Sequence, residues 1–195
     1  KLTDNGSGFA AKEVETLIHS SRQTYRPVDL KVGPDGALYV VDWYNAIIDH
    51  GEVDFHHPLR DKAHGRIWRL QAKDRPLVKR PNISGAPIEA LLDHLKAPED
   101  YTRTQAKREL ATHSQNEVLP KLKSWLASLP VDDPDREHHL LEALWLHGTI
   151  NAPNEELLRN VLKSTEARAR ANAVRILFHW RSDIKNPYEL FRAAI

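Results

Sequence analysis

At 195 residues, 41% of them hydrophobic, the chain carries enough apolar material for one sizeable domain or two small ones, which excludes a disordered composition. Its 28 basic and 27 acidic residues leave a formal charge of +1, so no global field gathers nucleic acid or an anionic membrane. The absence of cysteine removes disulfides, thiolate metal sites and a covalent CxxCH haem site from these residues.

Lys1 to Ala10 (KLTDNGSGFA) lacks the apolar core of a signal peptide. There is no apolar run of about 18 residues, the length that marks a membrane span. The chain has no methionine, starts on Lys1 and stops on the apolar stretch Phe191 to Ile195, which reads as a sequence cut at both ends.

A short strand is expected over Thr16 to Ser20. From Pro27 onward the period is clearly that of strands: Val28, Leu30 and Val32 alternate with Asp29 and Lys31, and Ala37 to Val41 (ALYVV) is apolar and β-branched. Between them, Gly33-Pro34-Asp35-Gly36 predicts a hairpin turn. Pro34 presets φ, Asp35 can bond its own backbone and Gly36 supplies the positive φ that closes such a loop. A polar, histidine-rich excursion from Asp42 to His64 follows. Gly65 to Leu70 (GRIWRL) then predicts a further strand, with Ile67 on one face and Trp68 and Leu70 on the other. So few strands bury too little apolar surface to stand alone, and the sheet is expected to need neighbours.

Pro76, Pro81, Asn82 and Gly85 punctuate a linker, beyond which the period turns helical. The expected organisation is a strand region over residues 1–75, a linker over 76–86 and helices over 87–195. Six amphipathic segments are predicted: Pro87 to Lys96, Glu99 to His113, Glu117 to Leu129, Asp135 to Gly148, Asn154 to Lys163 and Thr165 to Trp180. Pro98, Pro134 and Pro153 lie at or near helix starts, and Gly148 suits a C-terminal cap. Paired in order, the segments make three helical hairpins. Their second members share a template, Arg103-x-x-Ala106-x-x-x-Leu110 and Arg170-x-x-Ala173-x-x-x-Leu177, of which the middle pair keeps Leu140-x-x-Ala143. The alanines recur roughly every 30 to 40 residues, the period of a two-helix solenoid unit. A small residue there lets each second helix approach its partner closely.

The loop Asp42 to His64 concentrates possible chemistry, with His50, His56, His57 and His64 beside Asp42, Asp49, Asp54 and Asp61. Long ordered loops on rigid sheets are where ligand contacts collect. No metal template such as HExxH is matched, and the neighbouring pair His56-His57 is poor geometry for one centre. Ligand contact and a structural plug both remain open readings of this loop. Arg26, held extended before Pro27, could aim its guanidinium at an anion or pair with a neighbouring element. Arg60-Asp61 and Arg66 admit the same two readings. Arg103, Lys107, Arg108, Arg168, Arg170, Arg175 and Arg181 read as solvated faces or ion pairs between repeats, and Trp125, Trp145 and Trp180 as core. There is no nucleophile elbow, phosphate loop or dinucleotide fingerprint.

Tyr25 to Leu70 contains YRPVDLKVGPDGALYVVDWYN, IIDH and LRDKAHGRIWRL. These residues resemble the last blade of the bacterial membrane-bound dehydrogenases labelled L-sorbosone dehydrogenase. LLDHLKAPEDYTRTQAKREL, LEALWLHG and EARARANAVRILFHW look like the HEAT region that follows the propeller in that family, so the resemblance covers nearly the whole chain. It implies an α+β fragment: the terminal blade of a six-bladed β-propeller, similar to the quinoprotein sugar dehydrogenases, followed by an α-α superhelix of HEAT or armadillo type. It also implies export to the periplasm or beyond, pyrroloquinoline quinone and calcium in the parent protein, and often a c-type cytochrome domain. Arg26 and Asp29 match an arginine and an aspartate of the family's RxRDV-GPDG strand, while Val28 stands at its second arginine. The partners implied are the remaining blades and a sugar or polysaccharide. The residues expected to face cofactor or substrate are Arg26, Asp42, Tyr44, Asn45, His50, Arg60 and His64. The catalytic histidine would lie on earlier blades. A quinone-dependent sugar or alcohol dehydrogenase is one expectation for the parent, and a non-catalytic carbohydrate-binding or interaction scaffold is the other.

Overall fold

The computed structural model describes residues 1–49 and 51–193, and among these it is α+β, with two small antiparallel sheets and seven α-helices. The chain separates into two compact units, Val14–Pro81 and a second formed by Lys1–Glu13 with Asn82–Ile195. In chain order the strands are β1 (Leu2–Asn5), β2 (Gly8–Ala11), β3 (Pro27–Val32), β4 (Leu38–Asp42) and β5 (Arg66–Leu70).

The Val14–Pro81 unit is built on the sheet β3-β4-β5. Its hairpin turn closes as the sequence predicts. Gly33 N–H donates to the Ala37 carbonyl at 2.9 Å and Gly36 N–H to that of Gly33 at 3.0 Å. Asp35 Oδ1 accepts from Ala37 N–H at 3.1 Å, and Gly36 takes φ +76°. A Cβ on Gly36 would also stand 2.8 Å from Val78 Cγ2, so glycine is required there twice over.

The register pairs Leu30 with Val40 and Val40 with Trp68, and aligns Val32, Leu38 and Leu70 in the same way. Residues directly opposite share a face, so these six apolar side chains lie together. The other face carries Lys31, Tyr39 and Arg69 in one row and Asp29, Val41 and Ile67 in the next, with a bulge between Pro27 and Asp29. Val40 is buried, yet Leu30 is 60% exposed and Val32 55% on the first face, and Ile67 is 69% exposed on the second.

Thr16 to Ser20 forms no strand. The strands nearest that region are β1 and β2, joined through Gly6 at φ +57°, with Asn5 opposite Gly8. The connection is Gly6-Ser7, and a glycine first in a two-residue loop favours it, but the flanking residues lack the apolar alternation by which strands are recognised.

The second unit carries α1 (Ile88–Asp93), which runs on into a 3₁₀ turn over His94–Lys96, then α2 (Asp100–Leu110), α3 (Gln115–Ser128), α4 (Arg136–Thr149), α5 (Glu155–Val161), α6 (Ala167–His179) and α7 (Pro187–Ala193). Six of these answer to the predicted segments, and α7 follows the last of them within the region expected to be helical. Helix α4 packs against α2 on one side and α6 on the other, and α1 packs against α3. Ala106, Ala143 and Ala173 are fully buried where α2, α4 and α6 meet, and Leu110, Leu144 and Leu177 are equally inaccessible. Each such leucine contributes about 1.5–3 kcal/mol by leaving water. Trp125 and Trp180 are buried in the same core, with Trp145 packed against it.

Gly148 is not a cap. It sits inside α4, facing Ile176 of α6, where a Cβ would make an ordinary van der Waals contact with Ile176 Cδ1 at 3.5 Å. The left-handed residue after α4 is Asn151, at φ +52°. Ser114 and Glu117 form a capping box on α3, and Asn154 Oδ1 accepts Leu157 N–H at 3.0 Å to start α5.

An arginine clamps the turn before each second helix. Arg103 Nη1 donates to the carbonyls of Ala97 and Pro98 at 2.8 and 2.7 Å. Arg136 does the same to Leu129 and Pro130 at 2.9 and 3.3 Å. Arg170 serves Ser164 and Thr165 at 2.7 and 3.1 Å. The middle pair therefore keeps the arginine, moved nearer the start of its helix and out of the sequence template. Arg103 also reaches across to α4, where its Nε donates to Glu142 Oε1 at 2.8 Å. Glu142 is fully buried and is held as well by Lys107, with His138 Nε2 at 3.4 Å. The basic residues of α2 thus act between helical pairs.

Among the described residues no helix is long and apolar enough to cross a membrane.

Ala143→Leu, which forces extra methylenes between α2 and α6, is expected to cost about 1–3 kcal/mol, read from the denaturant midpoint of the helical unit. His147 is buried on α4, its Nδ1 donating to the Ala152 carbonyl at 2.7 Å and its Nε2 accepting from Asn154 Nδ2 at 3.2 Å. Burial pushes its pKa down, against the Ala152 bond. The unfolded chain then takes the proton first, so stability is full above the ordinary histidine range and falls as pH drops toward the lowered folded pKa. His147→Gln should flatten that slope in acid denaturation.

Candidate functional site

One end of the β3-β4-β5 sheet collects most of the residues singled out by sequence, and the carboxylate of Asp42 lies at its centre. Asp42 closes β4, and its side chain is completely inaccessible. Oδ1 accepts the backbone N–H of Arg26 at 2.8 Å and of Tyr44 at 3.0 Å. Oδ2 accepts the Trp68 indole N–H at 3.0 Å and lies 3.2 Å from Arg66 Nε, a charge contact off the hydrogen-bond line. Burial alone would raise the pKa of this carboxyl, but the Arg26, Trp68 and Tyr44 donors and the Arg66 charge outweigh it and hold Asp42 below the ordinary range.

Around the carboxylate the aromatic and basic groups stack. The Arg66 guanidinium lies 4.0 Å from the Tyr44 ring centroid and 5.0 Å from that of Trp68. Tyr44 presents its ring edge-on to His64 at 6.2 Å. Its backbone takes φ +57°, a left-handed conformation costing a bulky residue roughly 1–3 kcal/mol. The Asp42 bond to Tyr44 N–H and the Arg66 stack hold it there.

The loop that follows is built on its own polar groups. Asn45 is buried, donating to the Asp61 carbonyl at 3.2 Å and accepting Ile47 N–H at 3.2 Å. Asp61 receives Ala63 N–H at 2.9 Å and His64 N–H at 3.0 Å, and pairs with His64 Nδ1 at 2.9 Å. The Ala63 N–H and the His64 contacts hold its pKa below the ordinary range, against burial, which would raise it. Arg60 spends its guanidinium on the carbonyls of Asp54, Asp49 and Val53 at 3.0, 2.5 and 2.9 Å. Arg26 donates to the carbonyls of Tyr25 and Ala46 at 3.1 and 3.5 Å.

The structure therefore brings Arg26, Asp42, Tyr44 and His64 together, sets Asn45 behind them, and places Arg60 in the loop as a backbone clip. His50 lies outside the described residues. Arg66 and Trp68 complete the cluster. Sequence reading placed both in a strand without joining them to Asp42, although pairing that strand with β4 puts Arg66 directly opposite Asp42. Beside the cluster a shallow hollow of about 460 Å³ is lined by Val28, Val41, Trp43, His64 and Ile67. Among the described residues no three His, Asp or Glu side chains gather as a metal ligand set.

Chemically the arrangement supports two things. It fixes a strand end through one shielded charge, and it offers an apolar hollow edged by an indole and an imidazole.

Residues 1–74 match the family model of a domain of unknown function, DUF7133. No curated protein and no solved structure matches the chain.

Asp42→Ala leaves the Arg66 charge and three part-buried N–H donors without their acceptor and is expected to cost about 1–3 kcal/mol, read by thermal unfolding of the sheet unit. Because the folded pKa of Asp42 is lowered, its contribution is complete above the ordinary aspartate range and is lost as acid titrates through the folded value. The Trp68 indole N–H resonance should shift over that acid window in the native chain and not in Asp42→Asn.

Proposed function

We propose that the β3-β4-β5 sheet is the terminal blade of a larger β-propeller and that the helices form a HEAT-type solenoid continuing from it. The supporting observation is that this small sheet leaves large apolar side chains uncovered on both faces, Leu30, Val32 and Trp68 on one, and Val41 and Ile67 on the other beside Lys31, Tyr39 and Arg69. A face meant for water keeps few large apolar side chains in the open, whereas a blade layered between neighbours needs such side chains to pack against them. The stacked pairs, clamped turns and small interhelical residues support the solenoid.

In this reading the parent protein is an exported, quinone-dependent sugar or alcohol dehydrogenase, in which this segment closes the propeller and a c-type cytochrome domain takes the electrons. The part of this chain is architectural. Its residues do not fit a quinone cradle: the terminal guanidinium nitrogens of Arg26 are committed to the Tyr25 and Ala46 carbonyls, and Val28 carries no charge where a second arginine is expected.

A second reading, a non-catalytic carbohydrate-binding or interaction scaffold, is favoured by the open grooves between successive first helices. One of about 420 Å³ is lined by Glu89, Lys121 and Trp125, and another of about 980 Å³ by Leu119, Leu126 and Leu157.

Charge placed on the two sheet faces tests the blade. Leu30→Glu and Ile67→Glu should each shift the stability of the 195-residue chain by no more than about 0.5 kcal/mol, the surface value. In the longer parent each should cost several times that, and equal small effects in both would sink the blade. Titrating the parent with pyrroloquinoline quinone and calcium tests the dehydrogenase. Absence of binding together with absence of dye-linked aldose oxidation would leave the scaffold, which glycan arrays would then probe.

A further inference from the structure

The β1-β2 hairpin presents a modification site that the function above does not use. An isolated two-stranded hairpin is marginal in water, and here every residue of β1 and all but Gly8 of β2 are exposed. What holds it is a contact from α6. Asp4 and Phe9 stand directly opposite across the ladder. Arg168 engages both, with Nη1 3.0 Å from Asp4 Oδ1 and its guanidinium carbon 5.6 Å from the Phe9 ring centroid. Arg168 Nη2 also lies 3.6 Å from Glu166.

At the tip of this hairpin is Asn5-Gly6, and no other asparagine of the chain precedes a glycine. The Asn5 side chain makes no hydrogen bond among the described residues. A Cβ on Gly6 would meet nothing within 4 Å, so the space beside its α-carbon is open and nothing packs over the tip there. The turn Asp35-Gly36 makes the contrast. There the carboxylate is tied by Ala37 N–H at 3.1 Å, Tyr39 O–H at 3.1 Å and Arg69 Nη2 at 2.5 Å, and it is not free to react with the next peptide nitrogen.

We propose that Asn5 is a site of spontaneous succinimide formation, gated by the Arg168 latch. The Gly6 backbone nitrogen attacks Asn5 Cγ. A new C–N bond forms, the Cγ–NH2 bond breaks, and ammonia leaves with the Gly6 amide proton. One water then opens the ring. Cleavage at Cγ gives aspartate, and cleavage at the main-chain carbonyl gives isoaspartate; nothing is oxidised or reduced. In the closed hairpin Asn5 is held in an extended strand opposite Gly8, so reaction requires local opening, which the Arg168 contact opposes. Either product sets a second carboxylate beside Asp4. Isoaspartate also lengthens the main chain at the pair that closes the ladder, so modification converts a docked hairpin into a released one.

The test incubates the folded 195-residue chain in mildly alkaline buffer and follows the peptide containing Asn5 by mass spectrometry, with Asn5→Gln as the unreactive control. Conversion of amide to acid is expected at Asn5. It should run about two- to fivefold faster in Arg168→Ala, the factor an exposed charge pair is worth, with the helical circular dichroism unchanged. Asp4→Asn, which removes the same ion pair from the hairpin side, should accelerate it similarly. Asn5 remaining amidated in the folded chain and in both variants, while the urea-unfolded chain converts, would overturn the site. Equal rates in native chain and variants would overturn the latch.

Discussion

In the Val14–Pro81 unit the strand ends meet at one shielded carboxylate. Asp42 takes an N–H from the residue before β3, another from the residue that leaves β4 and an indole N–H from β5, so three separate pieces of chain are measured against a single point. A buried charge tolerates little misplacement, because any donor that drifts leaves an ion without its water or its partner. The left-handed backbone of Tyr44 and the stacked Arg66 follow from this, since both are held by contacts that begin at Asp42. The loop beyond stays ordered by a different device, in which Arg60, Asn45 and Asp61 satisfy backbone groups that a long connection would otherwise leave to water.

The helical unit answers a different constraint. Three buried alanines let α2, α4 and α6 lie close together, and close helices leave no room for water around polar groups. Glu142 is tolerated in that space because Arg103 and Lys107 reach it from the neighbouring pair. Such a cluster costs desolvation, so its contribution is better described as setting which pair meets which than as stability. The arginine clamps act one level lower, fixing the angle at which each second helix leaves its turn.

Much of this was legible in residue order, for identifiable reasons. Gly33 to Gly36 could be read because a tight turn restricts φ more severely than any tertiary contact can override. The buried alanines could be read because a helical period repeated in successive units leaves a template. The hairpin at Gly6 was not legible, since its strands bury almost nothing and so carry no apolar alternation. The middle clamp, Arg136, escaped because a long side chain reaches the equivalent carbonyls from a different position along its helix. In the loop, the density of histidine and aspartate was visible, but whether each group faces a ligand or its own backbone depends on the path of the chain. Arg60 shows the difference: a residue type suited to anions is used here as a clip for three carbonyls.

The sequence by itself determined where strands give way to helices, which turn closes β3 onto β4, and which small residues the second helices bring together. These are consequences of local dihedral preference and of periodicity, which act over a few residues. Only the tertiary structure decided that Asp42 rather than a histidine is the centre of the candidate site, that Arg66 and Trp68 belong to it, and that Glu142 is shared between helical pairs. Burial and pairing of charge join residues tens of positions apart, and no short-range pattern in the chain specifies which charge will meet which.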